Sequence, residues 1–435
     1  MARPSIRVRS LIAGAFVLAA SARADADNPQ VGASADIPQG RAFNAARDAR
    51  FGLLVSWGLH SLVGRDEHVM DRDRLPVSEY EKLPPRLQGG AYDPAAWVRA
   101  AKAAGLTSIA VVAKNHDGFC LFETALTRFD SIDASPFGKD PLKPLAEACR
   151  KEGIALWIVY SLADWHHPDA LPPGKTGRQA GRAGPGNLAS YNDYYQGQIR
   201  ELCTNYGPIA GVWLVGAWDR PEADWDLAET HRIVRELQPD ALIGDDRHAP
   251  PPQGDDPSMR LRLSVGSENL DVDVRFLGGK PVSEVVAAMV DAAGRDANLL
   301  MGVRARADGS LAPGDLERLT ELGKWLSTHG SSLVGTRGGP VPPAAWGAST
   351  RAPRDGAIYL HILKPDAGPI VLPPGLMASE VRPMGQPEAT RIIARTRPGG
   401  GVEVDIPLAL RKPIDTIFVV SPIIFDDQRP IPREP

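Results

Sequence analysis

The 435-residue chain is predicted to be an α/β protein: a (β/α)8 TIM-like barrel followed by a small antiparallel β-sandwich. Three observations predict this. Short, nearly unbroken apolar runs recur along most of the chain, as strands do when helices cover both faces of a parallel sheet. Helical patterns with start and stop signals separate them. Beyond Thr336 the sequence changes to short alternating segments broken by Gly and Pro.

Taken in order, the first residues read as a secretory leader. Arg3, Arg7 and Arg9 precede an apolar run from Leu11 to Ala20, and Ala24-Asp25-Ala26 supplies small residues for cleavage. The run is too short to span a bilayer core of about 30 Å. A signal peptide over 1–26 and a periplasmic or secreted protein, with no membrane attachment after cleavage, are therefore expected. Strands are predicted at 51–58, 108–119, 154–165, 211–218, 241–246, 261–267 and 298–305, with an eighth hidden near 271–279. Asp93-Pro94 and Asp140-Pro141 start helices that stop at Gly105 and Gly153. Further helices are expected at about 190–206, 226–237, 283–293 and 313–329. A doubly wound open sheet is the runner-up, but no GxGxxG turn follows the first strand. The domains are thus a barrel over 40–336 and a sandwich over 345–435, the latter expected to cover one side of the barrel.

A net charge of -4 offers no basic face for phosphates, which excludes nucleic acid as a partner. Cys120, Cys149 and Cys203 are too few for a disulfide framework and fit no zinc spacing, so buried thiols are expected, with one bridge left open. No cofactor is expected.

Barrel enzymes carry their chemistry at the carboxyl ends of the strands. Here those ends read SWGLHS, KNHDGF, YSLADWHHPD, GAWDR and GDDRH. Imidazoles, indoles, carboxylates and an arginine suit a hydroxyl-rich ligand stacked on rings, the outline of a sugar pocket. His116 either satisfies a loop carbonyl or binds ligand hydroxyls. Asp117 accepts backbone N–H groups in the turn before Gly118. Trp165 is a stacking platform. His166, His167 and Asp169 imitate a metal set, yet adjacent histidines in a strand point to opposite faces, so no metal is expected. Arg247 pairs with Asp245 or Asp246, or reaches into the pocket.

Together these stretches resemble glycoside hydrolase family 29, the α-L-fucosidases. The family motifs HWG, KHHDGF, YYSLLDWHHPDY, WFDG and GGNLLLNVGPxxDG have counterparts in SWG (56–58), KNHDGF (114–119), VYSLADWHHPDA (159–170), WLVG (213–216) and ANLLMGVRARADG (297–309). The third-strand motif is highly specific, and order and spacing match from about Arg50 to Thr336. The resemblance implies a retaining exo-hydrolase that removes terminal L-fucose from a fucosylated or related glycan. Such chemistry needs an aspartate to attack the anomeric carbon and a second carboxylic acid to protonate the leaving oxygen, about 5 to 5.5 Å away. It also implies sugar contacts from Ser56, Trp57, Glu67, His68, Asn115, His116, Tyr160, Trp165, Trp218 and Arg247.

Val215 stands at the nucleophile position of WFDG, and an isopropyl group cannot form a glycosyl ester. Ser56 and Asn115 replace histidines, Gly302 replaces an asparagine, and His68 replaces the tryptophan of an EW pair. The acid/base falls in a divergent segment. Glu268 is the candidate, with Asp255 and Asp256 behind it. Three readings follow: hydrolysis with Asp219 or Asp246 moved into the nucleophile's place, sugar binding without cleavage through Trp165, Tyr160 and Arg247, or different glycoside chemistry in a remodelled pocket. Turnover near background is expected.

Overall fold

A computed structural model of the chain describes residues 38–422 except 173, 179–183, 248–258, 375–377, 387–391, 393 and 399–400. The leader and the candidates Asp255 and Asp256 lie outside the described residues. Eight strands close a barrel in chain order: β1 (Phe51–Ser56), β2 (Ser108–Lys114), β3 (Ala155–Ser161), β4 (Gly211–Val215), β5 (Leu242–Asp245), β6 (Met259–Val265), β7 (Glu268–Phe276) and β8 (Asn298–Arg304). The hidden strand is β7.

One strand departs from expectation. β6 runs antiparallel to both β5 and β7, while every other neighbouring pair is parallel. The reason is covalent. Only Gly266 and Ser267 join β6 to β7, whereas a parallel crossover needs a dozen or more residues. Gly266 supplies the positive φ of 61° for this turn.

The helices begin where side chains can cap them. α1 (Pro38–Ala49) precedes β1, and α2 (Pro94–Ala103) starts on Asp93, which accepts the Ala96 N–H at 3.1 Å. α3 (Leu142–Glu152) is capped by Asp140, which takes the N–H groups of Leu142 and Lys143, and it ends on Gly153 at φ 67°. α4 (Leu188–Asn205), α5 (Leu227–Leu237), α6 (Val282–Gly294) and α7 (Pro313–His329) complete the outer layer. Among the described residues no helix is long and apolar enough to cross a membrane.

Two apolar layers result. Helix-facing side chains form a large outer core. Inward-facing ones, including Trp157, Val159, Trp213, Val215, Val272, Phe276 and Leu300, form a separate column inside the barrel. Cys120, Cys149 and Cys203 are buried and unbridged.

The C-terminal part has a five-stranded antiparallel sheet, ordered β13-β16-β11-β10-β9, and a three-stranded one, ordered β12-β15-β14. β9 (Arg337–Gly338), β10 (Gly347–Arg351), β11 (Ile358–Ile362), β13 (Ala378–Pro383) and β16 (Thr416–Pro422) form the first; β12 (Ile370–Leu372), β14 (Ala394–Thr396) and β15 (Val402–Val404) form the second. Ile358, Leu360, Leu372, Val404 and Phe418 fill the space between them. The sandwich is tied to the barrel domain at Ser332, whose carbonyl accepts from Thr350 Oγ1 and lies 3.4 Å from His361 Nε2. His361 Nδ1 in turn meets Asp415 at 2.7 Å, both fully buried.

Candidate active site

Alternation along each strand decides which side chains reach the inside of the barrel. At the carboxyl ends, the mouth, the inward residues include Ser56 on β1, Ser161 on β3, Val215 on β4, Phe276 on β7 and Arg304 on β8. Those one residue earlier or later face the helices.

This parity corrects two expectations. Tyr160 is fully buried on the helix side, where its hydroxyl donates to Gln198 Oε1 at 2.6 Å, so it cannot reach a ligand in the mouth. Trp57 follows the inward Ser56 and turns outward. Its indole stacks on Tyr92 at 5.3 Å and meets Trp97 and Phe137 edge-on.

The loops after β2 and β3 are fixed from beneath by a buried ion pair. A register shift after Val112 turns Lys114 away from the barrel interior. Its Nζ lies 2.9 Å from Asp164 and 3.2 Å from the Tyr191 hydroxyl, with both charges essentially inaccessible. Burial pushes the Asp164 carboxyl up, but Lys114 outweighs it and holds the group below its ordinary value. Asp164 also accepts the N–H groups of His166 and His167. Asp117 takes the Phe119 N–H at 3.0 Å and the Tyr80 hydroxyl at 3.0 Å, as its turn position predicts; burial raises its pKa to about 6.

Above this base stand the polar groups of the mouth. His116 Nδ1 meets Ser161 Oγ at 2.6 Å, and Ser161 donates on to the Ala163 carbonyl, which leaves Nε2 as the free end of the ring. The His116 ring lies 4.9 Å from His68 and 5.6 Å from Trp165. Burial, then His68 and Lys114, lowers the pKa of His116 far enough to keep it neutral. His68 Nε2 and Trp165 Nε1 are buried without a hydrogen-bond partner among the described residues. Asn115 donates to the Glu67 carbonyl at 3.4 Å.

Glu67 is the ionised carboxylate of this wall. Arg304 holds it with Nε at 3.2 Å from both oxygens and Nη2 at 3.0 Å from Oε2. Burial pushes Glu67 up, but Arg304, His60 and Ser56 overcome it and set its pKa at about 2. The Arg304 guanidinium lies 3.8 Å from the centre of the Phe276 ring, a cation–π contact. That ring lies across Gly302, filling space a side chain there would need. His60, from the short helix after β1, brings Nε2 to 3.3 Å from Ser56 Oγ and so places an imidazole beside the strand tip where the family motif has its histidine. Sequence reasoning missed Arg304, His60, Phe276 and Ser161; counting strand parity from Gly302 would have found Arg304.

The β4–β5 side differs. Val215 is 4% exposed and belongs to the apolar column inside the barrel. Asp246 is spent on the turn after β4: Oδ2 accepts from Gly216 at 2.6 Å and Oδ1 from Ala217 and Trp218 at 2.9 and 3.3 Å. Burial raises its pKa to about 7 despite those bonds. Asp219 is occupied too. It accepts the N–H groups of Gly174, Lys175 and Thr176 and the Thr176 hydroxyl, anchoring the loop after β3. Trp218 lies under Lys175, and Arg247 pairs with Asp245 at 3.4 Å.

Glu268 is not brought to this face. β7 pairs with β8 from Val272 opposite Asn298, so Glu268 lies four positions below the first residue of β8, at the far end of the barrel. At about 3.3 Å per residue, a barrel length separates it from the mouth. His166 stacks on Phe129 and faces Glu81, while His167 accepts the Asp169 N–H, so the two rings serve different neighbours.

Comparison with known proteins gives one consistent answer. A family model described as Alpha-L-fucosidase matches residues 17–258 and 275–331, leaving out β6 and most of β7. A putative alpha-L-fucosidase 1 from Oryza sativa subsp. japonica is 36% identical over 160 residues, 36% of this chain and 28% of that protein. The tissue alpha-L-fucosidase of Bos taurus is 22% identical over 328 residues, covering 67% and 68% of the two chains. Among solved structures, alpha-L-fucosidase isoenzyme 1 from Paenibacillus thiaminolyticus superimposes with a TM-score of 0.71 at 28% identity over 89% of this chain and 100% of that one. A trapped covalent intermediate of a Bacteroides thetaiotaomicron α-L-fucosidase gives 0.72 at 19% identity over 88% and 96%.

Proposed function

The chain belongs to the α-L-fucosidase family of glycoside hydrolases, and within it we propose a protein that holds a terminal L-fucose-type sugar in the barrel mouth without the family's double displacement. One observation carries this reading: the β4 tip is a valine packed into the apolar column, and the two carboxylates next to it are already bound by backbone amides. A retaining glycosidase needs a free carboxylate there to attack the anomeric carbon. The binding side is supported by the neutral His116, the unpartnered His68 and Trp165 nitrogens and the anchored Glu67. The ligand class, a fucosylated or related glycan, follows from the family.

We further propose that the protein is exported, on the strength of the leader pattern at 1–26. Mass spectrometry of protein recovered from the producing cells tests this, since a mature chain that keeps residues 1–26 sinks it.

The functional test is an assay on an aryl α-L-fucoside together with calorimetric titration of L-fucose. The expected outcome is saturable fucose binding with hydrolysis at background. Robust turnover by the natural protein overturns the reading. It would favour the second one, glycoside chemistry in a remodelled pocket, to which the ionised Glu67 beside Arg304 lends support.

A further inference from the structure

We propose that the base of the barrel, the end opposite the mouth, holds a second ligand site that takes a small neutral aromatic molecule. A cavity of about 370 Å³ lies there between α1 and the first residues of the strands. Close-packed interiors leave few voids larger than a water, and ligand sites begin at about 300 Å³, so this space has the size of a site.

The cavity's shape is written in α1. Ala42, Ala45, Ala46 and Ala49 all line it, and their spacing puts them on one helical face. α1 seals the barrel floor with Phe43, which joins the inner apolar column, and the four methyl groups beside it leave the remaining space open. Opposite them stand Trp157 and Trp213, with ring centroids 5.1 Å apart and planes at 22°, and Leu242, Val272 and Leu300 complete the wall.

Wall chemistry selects the ligand. The wall is mostly apolar, with Thr107, Ser108 and Asn298 as its uncharged polar members, so a sugar's full set of hydroxyls would go largely unpaired there, and each unpaired polar group costs free energy. The indole pair offers aromatic surface, for which offset or edge-on rings are the preferred partners. Charge finds little to pair with: the Arg50 guanidinium at the rim already donates through both terminal nitrogens to Asp296 and to the carbonyls of Ala297 and Thr336, leaving only Nε, and Asp240, exposed at the opening, repels anions. The site stands apart from the sugar-binding mouth and does not rest on the function proposed for it.

The test uses 5-bromoindole with the full mature chain, by calorimetry and by bromine anomalous scattering from a soaked crystal. Saturable one-site binding and bromine density between α1 and Trp213 are expected. Ala46→Phe and, independently, Ala42→Leu should fill the space and weaken binding about tenfold or more, leaving L-fucose titration unchanged. Absence of saturable binding, bromine density elsewhere, or affinity unaltered in a folded filled variant each overturns the proposal. Should neither variant fold, the position of the bromine in the natural protein decides alone.

Discussion

Two carboxylates on each side of the barrel mouth are held in opposite ways. On the β1–β3 side and its β8 neighbour, charges meet charges: Lys114 with Asp164 beneath, Arg304 with Glu67 above. Each pair positions a loop while leaving ring nitrogens free. On the β4–β5 side the carboxylates of Asp246 and Asp219 meet only backbone amides and a hydroxyl, and the tip itself is hydrocarbon. On the function proposed above, the contrast separates recognition from bond cleavage: one side keeps ring nitrogens for a sugar, and the other uses its carboxylates to hold backbone turns.

The strongest way to break this contrast is to remove one member of the buried pair. Lys114→Met should destabilise the protein by about 3–5 kcal/mol in urea unfolding, because Asp164 is left as an uncompensated buried charge. A loss under about 1 kcal/mol would mean that the pair does not pin the β2 and β3 loops.

Val215→Asp probes the other side. A carboxyl placed in the apolar column should lower stability by about 2–4 kcal/mol, and its folded pKa should be raised. A raised acid favours the fold most below its unfolded pKa, so the thermal midpoint of this variant should fall further behind the natural protein as pH rises from 4 to 8. A deficit that shrinks over that range would show that the new carboxylate is solvated or paired.

The two natural carboxyls sharpen the comparison through pH. Glu67 is depressed to about 2 from 4.5, so its contribution is present above pH 4.5 and lost as pH falls toward 2. Asp246 is raised to about 7 from 3.8, so its contribution is full below pH 3.8 and lost as pH rises through 7. Asp246→Asn should therefore flatten the decline in stability between pH 4 and 7, and Glu67→Gln should flatten the acid limb. Matching pH profiles in the two variants would abolish the distinction between the sides.

The smallest effect expected is on affinity. His116→Ala should weaken L-fucose binding about tenfold, close to 1.4 kcal/mol, with the unfolding midpoint little changed. Calorimetry showing undiminished binding would remove His116 from the sugar wall.

The barrel and its caps were legible because their signals are local. Asp93, Asp140 and Asp226 announce helices through side chains that bond the next turn. The sequence of β6 also carries the signal of its direction. Leu261 and Leu263 alternate with the exposed Arg262 and Ser264 and stop at a Gly-Ser turn, a one-sided pattern that suits an antiparallel strand rather than a doubly covered one. With β6 antiparallel, Glu268 falls at the start of β7, at the base of the barrel. In the mouth, motif matching found Glu67, His68 and His116 but also drew in Tyr160 and Trp57, whose strand parity sends them outward. What no motif could disclose was occupancy. Asp219 and Asp246 look available as letters, and only the folded backbone shows that their lone pairs are taken.

The reversed strand has a consequence for how this barrel can diversify. Because β5 and β6 run in opposite directions, β5 ends and β6 begins at the mouth. A change in the number of residues between them would therefore leave every hydrogen-bond ladder of the barrel in place and be felt at the mouth alone.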